Sequence, residues 1–132
     1  MINIRKIITK IKCLSSSIQY KKGMFIHPLC SIQQKKGGKV NCSEGVLLQN
    51  NTLVKAEGKA EVSLGKGCFL NANTRVDSFY KIIIEDNVII GPFVYIADFN
   101  HEYRDISKPI KEQPYSIGGG YKNRLRKLDW ST

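Results

Sequence analysis

Residues 64–101 read LGKGCFLNANTRVDSFYKIIIEDNVIIGPFVYIADFNH, and aliphatic residues recur through this stretch every six positions. Leu64, Leu70 and Val76 form one series; after a two-residue insertion, Ile84, Ile90 and Ile96 form a second. Four positions beyond most of these anchors stands a small or β-branched residue: Cys68, Thr74, Val88 and Val94. Glycine, asparagine and aspartate fill the gaps, as in Gly65-Lys66-Gly67 and Asp86-Asn87, and these residues reach left-handed backbone conformations at little cost. An amphipathic helix would repeat every 3.6 residues, and a sandwich would show alternating strands of unequal length. A fixed period of six instead makes a flat strand and a corner. Three such units close a triangular coil of about eighteen residues, whose anchors stack from coil to coil. The expectation is an all-β fold, a single-stranded parallel β-helix, with Leu64 beneath Ile84, Leu70 beneath Ile90 and Val76 beneath Ile96.

Upstream the period degrades. Val46, Leu48 and Val54 suggest one or two imperfect coils across residues 40–62, and His27-Pro28 with Ile32 suggests an earlier one. Residues 2–14, INIRKIITKIKCL, place Ile4, Ile7, Ile8 and Ile11 at helical spacing among Arg5, Lys6, Lys10 and Lys12. This is a short basic amphipathic helix ending at Ser15-Ser16-Ser17. It reads as a cap over the first apolar layer of the solenoid, and also as a peripheral contact with anionic lipid. The organisation expected is a basic N-terminal helix and linker over 1–22, hexapeptide coils over 23–120 with a loop at 102–120, and a basic divergent tail over 121–132.

The 132 residues suit one domain. The formal net charge of +10 invites a nucleic-acid reading, but the charge is concentrated at the ends. Residues 1–22 carry +6 with no acidic side chain, residues 122–132 carry +3, and the body between holds only +1. A nucleic-acid reader carries its charge on the folded surface, so no nucleic-acid partner is expected. Cys13, Cys30, Cys42 and Cys68 are scattered without a C-x-x-C pair, which predicts free thiols, no disulfide framework and no metal, and suits a cytoplasmic protein.

Residues 82–120, IIIEDNVIIGPFVYIADFNHEYRDISKPIKEQPYSIGGG, resemble the hexapeptide-repeat O-acetyltransferases. The likeness is to the group around maltose and galactoside acetyltransferases and to acetyltransferases of polysaccharide biosynthesis. It is carried by Asp86-Asn87-Val88, Ile90-Gly91-Pro92, the D-x-x-H run from Asp98 to His101, Pro109-Ile110 and Gln113-Pro114. The resemblance implies a left-handed β-helix, a homotrimer with active sites between neighbouring subunits, acetyl-CoA as acyl donor, and a sugar or polysaccharide hydroxyl as acceptor. It assigns His101 as the general base. The chemistry agrees, because a hydroxyl attacking a thioester must lose its proton to a group that titrates near neutrality. Asp98 is the nearest carboxylate that could orient the imidazole or touch substrate, although residues three apart in extended chain point to different faces. Asn71, with Asn73, lies one coil earlier, where the related enzymes place a substrate-contacting asparagine; both residues also suit a corner of the repeat. Glu102 and Asp105 reach sugar hydroxyls or only solvent. No residue is assigned to the donor. Gly118-Gly119-Gly120 lacks the G-K-[ST] continuation of a phosphate loop, and His27, followed by Pro28, reads as structural.

The resemblance fades after residue 120. Relatives continue with further coils that line the donor channel, whereas here YKNRLRKLDWST carries no aliphatic anchor pattern. A truncated or frameshifted form with an impaired donor site is therefore expected. Two alternatives stand beside the enzyme: a non-catalytic β-helix that self-associates, and a module that binds a membrane surface peripherally, on the cytoplasmic face, through its helix.

Overall fold

The computed structural model describes residues 1–117 and 123–125. One helix, α1 (Ile4–Ser15), precedes a succession of short strands. The first coil consists of β1 (Phe25–Ile26), β2 (Ser31–Lys35) and β3 (Lys39–Cys42); the second of β4 (Leu47–Leu48), β5 (Leu53–Glu57) and β6 (Glu61–Leu64). The third consists of β7 (Phe69–Leu70), β8 (Arg75–Ser78) and β9 (Lys81–Ile84), and the fourth opens with β10 (Ile89–Ile90) and β11 (Tyr95–Ala97). An antiparallel ribbon, β12 (Phe99–His101) with β13 (Tyr115–Ile117), then leaves the stack, and β14 (Asn123–Leu125) rejoins it.

Every pairing within the stack is parallel and links equivalent strands of successive coils. Three sheets result: A (β1-β4-β7-β10), B (β2-β5-β8-β11) and C (β3-β6-β9-β14). This is a parallel β-helix with one N-terminal helix. The three stackings expected from the period are present, since Leu64 pairs with Ile84, Leu70 with Ile90 and Val76 with Ile96. The columns run further than the six-residue count reveals. Ile26, Leu48, Leu70 and Ile90 line up on sheet A, and Ile32, Val54, Val76 and Ile96 on sheet B. Cys42, Leu64 and Ile84 continue to Leu125 on sheet C. Leu48, Val54, Leu64, Leu70, Val76 and Ile84 are almost wholly removed from solvent. Each such aliphatic side chain contributes roughly 1.5–3 kcal/mol on burial.

Coil length departs from the eighteen residues expected. Partners in register are 22 apart between the first three coils (Phe25, Leu47, Phe69) and 20 apart into the fourth (Ile89). The surplus lies at the corner joining sheets B and C. There, ten residues separate Ile32 from Cys42 and Val54 from Leu64, but only eight separate Val76 from Ile84. That long side hides the period upstream, so coils that look imperfect in sequence are complete in space.

The corners repeat as columns too. At the C–A corner, Gly23, Gly45, Gly67 and Asn87 all take positive φ, and a Cβ on Gly67 would meet Asn87 Oδ1 at 2.8 Å. At the A–B corner, Asn51, Asn73 and Phe93 do the same, with φ of 55°, 61° and 58°.

Helix α1 begins at Asn3, whose Oδ1 accepts from Lys6 N at 3.1 Å. It covers the first coil, but of its isoleucines only Ile8 is even partly buried. Thr9 and Cys13 are its buried residues, and Thr9 Oγ1 accepts from the backbone N–H of Ile26 at 3.2 Å. Ile4, Ile7, Ile11 and Leu14 face solvent. The cap expected from the sequence exists, with its apolar stripe turned outward. All four cysteines are free and buried.

Candidate functional site

The ribbon β12–β13 and the loop between its strands occupy the B–C corner of the fourth coil, where the third coil has only Phe79 and Tyr80. His101 thus stands on an expansion of the same corner that carries the surplus residues of the earlier coils.

Two devices fix the ribbon to the stack. The first is Asp98, which is 5% exposed. Its Oδ2 accepts from Ser78 Oγ at 2.6 Å, Lys81 N at 2.7 Å and Tyr80 N at 3.1 Å, and its Oδ1 accepts from Phe79 N at 2.8 Å. Three of these four donors converge on Oδ2 and one reaches Oδ1, so the corner holds the carboxylate by both oxygens. The second device is aromatic. Phe79 meets Phe99 edge to face at 4.6 Å and stacks on Tyr115 at 4.8 Å, while Phe99 and Tyr115 are 5.2 Å apart. The ring of His101 lies 4.8 Å from that of Tyr115, its cross-strand partner.

Alternation along β12 sets the orientation. Asp98 turns under the corner, whereas His101 is exposed and offers its imidazole outward. No hydrogen bond joins Asp98 to His101, and neither ring nitrogen of His101 has a partner among the described residues. Asp98, expected from the sequence as a substrate contact or imidazole partner, is instead bonded to the corner through both of its oxygens, a geometry that suits a positioning role.

The loop is tied internally. Gln113, buried, donates from Nε2 to the carbonyls of Asp105 (2.8 Å) and Lys108 (3.0 Å), while its Oε1 accepts from Asp105 N at 3.3 Å. Glu102 Oε1 accepts from the backbone N–H groups of Tyr103 and Arg104. Asp105 accepts from the Ser107 hydroxyl and amide, which hold its carboxyl below the usual carboxylate range. Glu102 and Asp105 both brace the loop. A short 3-10 turn, Ile110–Glu112, closes it.

Asn71 lies at the A–B corner, between β7 and β8, and so on a different edge of the prism from His101. Its Oδ1 accepts from Ala72 N at 2.8 Å and its backbone carbonyl accepts from Thr52 Oγ1. Asn73 is the left-handed corner residue, with φ of 61°. A single chain does not bring Asn71 and His101 together. His27 Nδ1 accepts from Leu29 N at 3.0 Å, a local turn contact. Gly118-Gly119-Gly120 falls outside the described residues, as does most of the basic tail. Three of its residues, 123–125, form β14 and so extend sheet C beyond the loop.

Phe79 and Tyr115 are the site residues that sequence reasoning missed. The signal was the two-residue insertion between Val76 and Ile84, which holds Phe79. Along the outer face of sheet B a charged row approaches the same corner. Lys55 Nζ lies 3.0 Å from Glu57, 3.9 Å from Asp77 and 5.4 Å from the centre of the Phe79 ring. No group of three or more His, Cys, Asp or Glu side chains able to hold a metal occurs among the described residues. No described helix is long and apolar enough to cross a membrane.

The chain is 30% identical over 93 residues, 70% of its length, to a protein of Mycobacterium tuberculosis named as a probable acetyltransferase. The match spans 29% of that protein, so the chain corresponds to under a third of it. No family model matches the chain, and no solved structure does.

Proposed function

We propose that this chain is an acetyl-CoA-dependent O-acetyltransferase acting on a sugar or polysaccharide hydroxyl, with His101 as general base. The observation that carries the reading is the display of His101. An imidazole without a hydrogen-bond partner among the described residues stands outward on a ribbon that Asp98 and the Phe79–Phe99–Tyr115 cluster hold to a β-helix corner.

The reaction needs one proton moved twice. His101 accepts the proton of the acceptor hydroxyl as its oxygen bonds to the thioester carbonyl carbon. The imidazolium then returns that proton to the departing sulfur as the carbon–sulfur bond breaks, leaving an acetyl ester and free thiol. Such general-base assistance supplies about 10²- to 10⁴-fold in rate. A half-exposed Tyr115 ring beside the imidazole suits the C–H face of a sugar, since aromatic rings combine apolar area with a polar tip.

A homotrimer completes the reading. Asn71 and His101 lie on different edges of one prism, so a site using both takes them from neighbouring copies. The imidazole also lacks an orienting group within its own described residues, which a neighbour or the bound acceptor would supply.

The test is release of free thiol from acetyl-CoA across a panel of sugar and oligosaccharide acceptors, with ester formation followed by mass spectrometry. Acceptor-dependent turnover that His101→Ala abolishes supports the proposal. Thiol release independent of both acceptor and His101 overturns it. For the trimer, mixing inactive Asn71→Ala and His101→Ala chains should restore partial activity, because some mixed interfaces carry both native residues.

A further inference from the structure

We infer that α1 is a docking element for an anionic lipid surface, lying flat in the headgroup region with Ile4, Ile7, Ile11 and Leu14 immersed. These four side chains are 67%, 46%, 63% and 81% exposed. At about 100° per residue they fall within an arc of about 80°, while the buried Thr9 and Cys13 project from roughly the opposite side. The solenoid therefore grips the helix by its small and polar residues and presents the apolar stripe to the surroundings.

Charge selects the occupant. Lys6 and Lys10 flank the stripe on one side, Arg5 and Lys12 on the other, and residues 1–22 contain no acidic side chain. Arg5 lies over the Phe25 ring at 4.1 Å and Lys10 over the Tyr20 ring at 5.3 Å, so part of the basic border is held against the folded body. A second copy of the same face would set cation against cation with no carboxylate to offset them. A negatively charged bilayer matches both the stripe and its borders. The helix has 12 residues, about 18 Å of length, which is too short to span a bilayer and suited to lying along it.

The experiment is co-sedimentation of the full chain with vesicles of phosphatidylcholine alone or mixed with phosphatidylglycerol. The native chain is compared with the double variant Ile7→Gln, Ile11→Gln, which keeps the charge and alters only exposed positions. Binding to the phosphatidylglycerol vesicles that weakens with salt and falls at least about tenfold in the double variant supports the assignment. Circular dichroism should show both proteins equally folded. Undiminished binding by the double variant, or equal binding to phosphatidylcholine alone, overturns it. So does self-association in ultracentrifugation that the double variant abolishes without any vesicle binding.

Discussion

The Ser78 hydroxyl donates to the Asp98 carboxylate at 2.6 Å across two successive coils, in a site where both residues are buried. Asp98 also accepts the three consecutive amides of Phe79, Tyr80 and Lys81. The shortest of the B–C corners and the strand bearing His101 are thus joined through one side chain.

Asp98→Ala should cost roughly 2–4 kcal/mol, because it leaves buried donors without an acceptor. Urea denaturation measures the loss, and hydrogen exchange should show the amides of residues 79–81 as the most deprotected. Asp98→Asn keeps one acceptor oxygen and should fall between the two.

His101→Ala should leave the unfolding free energy from urea denaturation within about 0.5 kcal/mol of native, since the side chain is exposed and makes no hydrogen bond among the described residues. On the proposed function, the acceptor-dependent rate should drop by about 10²- to 10⁴-fold. A destabilised fold with retained turnover would contradict both expectations.

Phe93 adopts φ of 58° in the column of Asn51 and Asn73, although an aromatic residue enters that region only under strain. It is 80% exposed, so little packing offsets the cost. Phe93→Asn should stabilise the chain by roughly 1 kcal/mol, read as a rise in melting temperature.

Burial pushes the thiols of Cys30, Cys42 and Cys68 up from 9.0 to about 12. Folded chains retain these protons where unfolded chains lose them. Their contribution to stability is therefore complete below about pH 9 and is lost as pH rises toward about 12. A disulfide-exchange reagent at pH 8 should label almost no thiol in the native chain and four after unfolding in urea.

The sequence by itself determined the stack. Leu64, Leu70, Val76, Ile84, Ile90 and Ile96 face inward because a repeating corner leaves each one no other direction, and the period announces that directly. It also singled out His101, the Asp98 motif, and Gln113, which pins the loop. Only the tertiary structure decided the rest. The long B–C side of the first coils breaks the six-residue count, so their register depends on pairing between residues 22 apart. That the amides of Phe79, Tyr80 and Lys81 hold Asp98 is not legible in the sequence, because which donors reach a carboxylate is a property of the neighbouring coil. The isoleucines of α1 carry helical spacing whichever way they turn. That Ile4, Ile7 and Ile11 face outward, with Ile8 partly buried, was settled by Thr9 and Cys13 fitting the end of the stack, since a periodicity fixes a face but not its partner.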